Sequence, residues 1–219
     1  MTDKKLKERR RRASEINRVL KKLFPKAKVA LNYKNPLELL IAVILSAQTT
    51  DKKINEITKD LFKKYRTVND YVNANSNEFE RDIYQSGFYK NKTQSIIGAV
   101  KVIKDKFGGK VPRTMEEMLT LPGVARKTAN IVLANAYDVV EGIAVDTHVA
   151  RLAQKLDLTD HKDPVKIERD LMEIMPKGEW KDSNHRIVLY GREICPRRRH
   201  NACDKHPLTK IYPKAWNIW

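Results

Sequence analysis

Lys127 is the residue whose surroundings in the sequence best suit nucleophilic chemistry. It follows Arg126 in the segment LPGVARKTAN, where a proline-glycine break is followed by a helix predicted to start near Arg126 or Lys127. The positive end of the helix dipole and the Arg126 cation both disfavour an ammonium there, which would make a neutral amine available as a nucleophile. The alternative is an ordinary surface lysine, since the chain has 44 lysines and arginines.

Asp146 is the second candidate, because it directly precedes the helical pattern THVARLAQKL. From spacing alone, its role is that of an N-cap, which accepts a hydrogen bond from a main-chain N–H of the first helical turn. The helix dipole and the N–H groups also keep such a carboxylate ionised. Capping and a charge-based role in catalysis are therefore compatible.

The elements that must position these residues are predicted to be helices. Apolar residues recur at spacings of three and four, with no sustained period-two alternation, so we expect an all-α fold. Pro36 and the pair Asp163-Pro164 are typical of helix starts, and Gly87 and Gly108 of left-handed helix ends.

A helix, a tight hairpin and a second helix are predicted over residues 114–136. Thr114 and Glu117 have capping-box spacing, and the break falls at Pro122-Gly123. Such a hairpin turns main-chain N–H groups outward at a helix N-terminus, which suits a phosphate. A plain interhelical turn is the alternative.

The net charge of the chain indicates which class of partner it binds. An apolar fraction of 41% in 219 residues indicates a folded protein. A formal charge of +17 indicates that it binds a polyanion, and nucleic acid is the leading candidate. A highly soluble surface or a ribosome-associated protein would also account for the charge. Without a membrane-spanning run or a secretion signal, we expect a cytoplasmic protein whose two cysteines are reduced thiols or metal ligands and do not form a structural disulfide. We expect the basic arm, residues 4–12, to be a solvated, frayed helix start.

Four segments together resemble one family. LPGVARKTAN resembles the helix-hairpin-helix of DNA base-excision glycosylases, specifically the endonuclease III family. LLIAVILSAQTTD (39–51), SGFYKNK (86–92) and GIAVDTHVAR (142–151) resemble its glutamine loop, its second DNA-facing loop and its catalytic aspartate segment. With YGREIC, the likeness covers most of residues 15–205 in the family's order.

The resemblance implies roles for the two candidates. Lys127 would attack C1′ of the deoxyribose, expel the damaged base and form a Schiff base that undergoes β-elimination. Asp146 would assist deprotonation of the lysine and stabilise the oxocarbenium charge. His148 would help to position Asp146 or the substrate backbone, unless it is a structural histidine.

The resemblance also implies a set of DNA contacts around a flipped-out nucleotide. Gln48 would plug the hole in the duplex and Phe88 would act as the apolar wedge; read without the family, they are a helix-end amide and a core aromatic. The other expected contacts are Tyr89, Lys90, Lys92, Leu121, Gly123, Ala125, Arg126, Arg197, Arg198 and Arg199.

The sequence departs from the family at two places. Ala125 replaces the usual second hairpin glycine. In addition, family members hold a [4Fe-4S] cluster with four cysteines, whereas this chain has two, so we expect no cluster and no cofactor. Zinc held by Cys195, His200, Cys203 and His206 is the alternative to a basic loop closed by packing.

Two helical lobes follow from the resemblance, one of residues 29–140 and one of residues 1–28 with 141–219, with Lys127 and Asp146 facing each other across a cleft. We expect a monomeric glycosylase and AP lyase that removes oxidised pyrimidines from double-stranded DNA with damaged bases or abasic sites. The alternatives are a monofunctional mismatch glycosylase and a non-catalytic helix-hairpin-helix protein. Lys127 argues against the first, and a protein that only binds DNA has no need for both Lys127 and the Asp146 segment.

Overall fold

A computed structural model describes residues 2–196 and 206–214, and these are helical with no strand among them. Two 3-10 turns, Tyr84–Ser86 and Lys177–Glu179, and a π-helix, Tyr190–Ile194, accompany the α-helices. No helix among the described residues combines the length and apolar character needed to cross a bilayer. The α-helices are α1 Asp3–Leu23, α2 Pro36–Leu45, α3 Asp51–Lys64, α4 Val68–Val72, α5 Ser76–Ile83, α6 Tyr89–Phe107, α7 Met115–Leu119, α8 Arg126–Ala136, α9 Thr147–Lys155, α10 Pro164–Ile174 and α11 Trp180–Leu189.

The chain divides into two compact units. One contains residues 30–141, and the other joins the residues up to Val29 to those from Gly142 onward. In the first unit α2 is the central helix: every side chain from Leu39 to Leu45 is buried, because its sequence PLELLIAVIL is apolar on all faces. Helices α3, α6 and α8 pack against it.

The second unit has its own core. Helices α1, α9 and α10 are amphipathic and bury their apolar faces in this core, and α11 and the π-helix also pack against it. Its most buried apolar side chains include Ile16, Leu20, Ile143, Val149, Leu152, Leu158, Ile167, Leu171 and Tyr190.

The helix boundaries largely follow the predicted signals. Asn35 and Asp163 cap α2 and α10, each with proline in the first turn, and α8 begins at Arg126. Gly108 ends α6 in the left-handed conformation as predicted. Gly87 also has positive φ, 67°, but its ψ of 157° places it outside the left-handed helical region, at the end of a 3-10 turn.

The expectation for the basic arm was wrong, because α1 packs along most of its length. Arg9 is only 1% exposed, and its guanidinium donates to Asp157 and Asp160 at 2.8 Å each. Arg12 donates to Asp157 at 3.0 Å and stacks on the Tyr212 ring. A buried arginine is tolerated when it is paired in this way. These cations serve the fold of this unit.

Candidate functional site

The predicted hairpin joins α7 to α8. Leu121 and Val124 anchor it in the core, and the Val124 N–H donates to the Leu121 carbonyl at 3.1 Å. Gly123 has a φ of 74°, and a Cβ on it would lie 2.5 Å from the Cβ of Ser95 in α6. This position therefore requires glycine both for its backbone conformation and for the close approach to α6.

Substituting this glycine gives the first testable prediction. We expect Gly123→Ala to lower the free energy of unfolding by about 1–3 kcal/mol from backbone strain, with a further loss from the clash. Gly109→Ala is the matched control, because Gly109 has a φ of 77° and no atom within 4 Å of the added Cβ. Denaturant titration of the two variants separates the cost of the clash with Ser95 from the cost of the backbone conformation. Equal losses of the free energy of unfolding would show that Ser95 moves aside without destabilising the protein.

The hairpin amides differ in what they offer a ligand. The Leu121 N–H donates to the Met118 carbonyl at 3.2 Å and its side chain is 2% exposed, so the expectation that Leu121 contacts DNA was wrong. Among the described residues, no acceptor faces the N–H of Gly123 or Ala125. Helix α8 also begins without a side-chain cap. Two outward amides at an uncapped helix start suit a phosphate oxygen.

Ala125 does not strain the hairpin. It is the N-cap residue of α8, with φ of −95° and ψ of 171°, which is extended backbone open to any residue. The replacement of the family's second hairpin glycine therefore has no conformational cost here.

Lys127 is the second residue of α8 and is partly exposed, as is Arg126 before it. The predicted start of the helix at these residues is confirmed. The helix thus presents a primary amine in its first turn, next to the hairpin and close in sequence to the outward amides of Gly123 and Ala125. Its catalytic role stays a prediction of the sequence.

Asp146 is the N-cap of α9. Its Oδ1 atom accepts from the N–H of His148 at 2.9 Å and of Val149 at 2.8 Å. Its Oδ2 atom has no hydrogen-bond partner within the described part of the chain. One carboxylate oxygen therefore fixes the helix start, and a catalytic role for the other stays a prediction of the sequence.

His148 is half-buried in the first turn of α9, against the π-helix. A Cβ on Gly191 would lie 2.9 Å from His148 Nδ1, so glycine is required there for packing. Burial lowers the pKa of His148 below its usual range; Asp146 opposes this shift, whereas Arg192 and Arg151 add to it. The Gly191 contact was not predicted, although the glycine of YGREIC marks its place.

The two residues predicted to enter the duplex are both exposed. Gln48 lies after the end of α2, and Phe88 directly precedes α6 with 63% of its surface exposed. Both have positive φ, 57° and 47°, which is uncommon for a residue with a side chain and an outlier for a bulky one such as Phe88. Tyr89 is half-buried, with its ring centre 4.9 Å from that of Tyr84. Lys90 is exposed at the start of α6.

Lys92 lies elsewhere than expected. Only 5% of it is exposed, and its ammonium donates to the carbonyls of Leu45 at 2.7 Å and Ser86 at 2.6 Å and to Thr49 Oγ1 at 3.2 Å. The expectation that Lys92 contacts a phosphate was therefore wrong, because its three donors are already used inside the unit.

The C-terminal loop is described in part. Five residues of the predicted arginine contacts and of the zinc alternative lie outside the described residues: Arg197, Arg198, Arg199, His200 and Cys203. Cys195 is buried, with Arg151 Nη1 at 3.5 Å and Lys155 Nζ at 3.8 Å from its Sγ. His206 is buried edge-on against the Tyr190 ring. No group of three or more potential metal ligands occurs among the residues described.

The chain is similar to known proteins over most of its length. Residues 41–177 match the family described as HhH-GPD superfamily base excision DNA repair protein. The endonuclease III of Synechocystis sp. is 45% identical over 97% of this chain and 96% of its own length. Two solved structures, a non-covalent endonuclease III–DNA complex and a trapped endonuclease III–DNA covalent intermediate, match with a TM-score of 0.90 and 40% identity over 95% of this chain and 97% of theirs. The chain belongs to the endonuclease III family of the HhH-GPD superfamily.

Proposed function

We propose that this protein is a base-excision-repair DNA glycosylase with AP lyase activity that acts on oxidised pyrimidines in duplex DNA. The observation that carries the proposal is the primary amine of Lys127, partly exposed in the first turn of α8 beside the hairpin. A related protein, 40% identical, has been trapped as a covalent intermediate with DNA. We propose that the protein works as a monomer in the cytoplasm, on nucleoid DNA.

Lys127 would act as the nucleophile. Its neutral amine forms a bond to C1′ of the deoxyribose, and the C1′–N bond to the damaged base breaks with its electron pair leaving on the base, which takes up a proton. The C1′–O4′ bond then breaks, a proton passes from the nitrogen to the ring oxygen, and the open-chain Schiff base forms. Removal of a C2′ proton then breaks the C3′–O bond, the 3′ phosphate leaves, and water hydrolyses the imine to release the enzyme.

Asp146 would supply negative charge for these steps. The N–H groups of His148 and Val149 hold its Oδ1 atom, which fixes the position of the carboxylate. Because Oδ1 is fixed in this way, the position of Oδ2 is fixed as well. A fixed anion of this kind stabilises positive charge that develops on the deoxyribose, and it can accept the proton that the lysine amine loses.

We propose that this chemistry proceeds without the family's iron-sulfur cluster, for which the donor set does not fit. The chain has two cysteines in place of four. The buried Cys195 lies beside two cationic side chains, Arg151 and Lys155, which oppose a metal cation at its sulfur. Metal analysis of the purified protein tests this, and iron with inorganic sulfide would contradict it. One zinc per chain that is lost in Cys203→Ser would favour the zinc site over a basic loop closed by packing.

The function is tested with a duplex that carries a single thymine glycol. A bifunctional enzyme releases the base and cleaves the strand in the same reaction, because the Schiff base leads to β-elimination. Base release that leaves intact abasic strands would indicate a monofunctional glycosylase. Binding without release or cleavage, together with no borohydride-trapped adduct on abasic DNA, would indicate a non-catalytic binding protein.

The net charge of +17 leads to a prediction about salt. Affinity for a duplex should fall about a thousandfold between 50 and 200 mM salt if roughly six phosphates are contacted, because condensed counterions are released on binding. Fluorescence anisotropy with lesion-containing and undamaged duplexes of equal length measures both slopes. A flat profile would contradict the electrostatic basis of binding.

A further inference from the structure

Lys92 connects the two loops that carry Gln48 and Phe88. We define the plug loop as residues 46–50 and the wedge loop as residues 84–88. Lys92 Nζ donates to the carbonyl of Leu45, directly before the plug loop, to Thr49 Oγ1 within it, and to the carbonyl of Ser86 in the wedge loop. The Thr49 hydroxyl also donates to that Ser86 carbonyl. An ammonium has three N–H donors, and all three are matched to acceptors here.

The residues that Lys92 contacts lie close in sequence to Gln48 and Phe88, the two residues with positive φ. Gln48 lies between Leu45 and Thr49, and Phe88 lies two residues after Ser86. The positive φ values of Gln48 and Phe88 persist only where neighbouring contacts fix the backbone, since side chains disfavour that region. Both side chains are exposed, so packing against the protein interior does not hold them. The hydrogen bonds beneath the loops therefore provide the restraint.

We infer that Lys92 is a positioning residue, whose buried ammonium holds the plug loop and the wedge loop in the one arrangement in which Gln48 and Phe88 enter the duplex together. The inference rests on the proposed function, because it gives these two residues their roles. Lys92 does not touch the substrate. It acts on extrusion of the nucleotide and leaves the chemistry of Lys127 unchanged.

The acceptors around Lys92 give the restraint a dependence on pH. The groups that face the ammonium from the end of α2, the plug loop and the wedge loop are two carbonyls and a hydroxyl, all uncharged. Burial without a compensating carboxylate lowers the pKa of Lys92 to about 8. A neutral amine has only two N–H donors for three acceptors, so deprotonation releases one contact.

The test separates extrusion from chemistry. Wild type, Lys92→Met and the surface control Lys101→Met, also on α6, are compared on two substrates: a thymine-glycol duplex, and a single-stranded oligonucleotide with one abasic site plus borohydride. Extrusion limits only the duplex reaction. We expect the rate of Lys92→Met on the duplex to fall about a hundredfold, because a displacement of about 1 Å in positioning groups costs about that much. Its rate of trapping on single-stranded DNA should stay within about twofold of wild type.

Several outcomes decide the inference. Equal losses on both substrates, or none on either, would overturn it. If Lys92→Met does not fold by circular dichroism, Thr49→Val removes one acceptor of Lys92 together with the hydrogen bond from Thr49 to Ser86, with little change of volume, and must show the same selective loss. The ratio of duplex to single-strand rates should also fall in wild type as pH rises through about 8 and stay constant in Lys92→Met. Absence of trapping by wild type would overturn the proposed function itself, and with it the inference.

Discussion

Replacement of Lys127 by alanine should abolish the covalent chemistry and leave the fold and DNA binding in place. We expect Lys127→Ala to lower trapping of abasic DNA by borohydride, and strand cleavage, at least about a thousandfold, because no other amine takes over the attack on C1′. Affinity for the duplex should change only a few-fold, since one positive charge among 44 lysines and arginines is lost. Gel analysis of trapped adducts and fluorescence anisotropy measure the two effects.

Lys101→Ala is the matched control for this experiment, because it removes an exposed lysine from α6 in the same unit. Its trapping should equal that of wild type. Adduct formed by Lys127→Ala at the wild-type rate would show that another amine is the nucleophile.

Asp146→Asn should separate the charge of this residue from its role as a cap. Asparagine caps helices about as well as aspartate, so the free energy of unfolding should change by less than about 1 kcal/mol. The rate of base release from a thymine-glycol duplex should nevertheless fall about a hundred- to a thousandfold, because the uncharged amide stabilises positive charge on the sugar poorly. Denaturant titration and single-turnover kinetics give the two quantities.

Asp163 offers the control, since it caps α10 in the same way, with its Oδ1 atom accepting from the Lys166 N–H at 2.9 Å. Asp163→Asn should leave both stability and the rate of base release near wild type. If Asp146→Asn releases the base as fast as this control, the carboxylate is only a cap and the proposed role fails.

Local signals in the sequence were sufficient for the helical framework. Proline at the start of α2 and the Asp163-Pro164 pair at α10 act through the first helical turn, and Gly108 acts through its own backbone conformation. The break at Gly123 was predicted for the same reason. Each of these residues determines the backbone conformation within a few positions of itself, so the helix boundary can be predicted from the local sequence.

The positions of the charged side chains could not be predicted in the same way. Arg9 and Lys92 are buried because acceptors from distant segments surround them, Asp157 and Asp160 for Arg9, and the plug and wedge loops for Lys92. A signal for Lys92 did exist: it lies four residues before Ile96, on the buried face of α6. The spacing of apolar residues favoured burial there, but the excess of lysines made a surface contact the simpler interpretation.

The most direct test of the central claim is the location of the covalent bond. The protein is trapped on abasic DNA with borohydride and digested, and the modified peptide is sequenced by mass spectrometry. The account predicts a single adduct at the side-chain nitrogen of Lys127. An adduct at the N-terminal amine or at another lysine, with Lys127 unmodified, would contradict it.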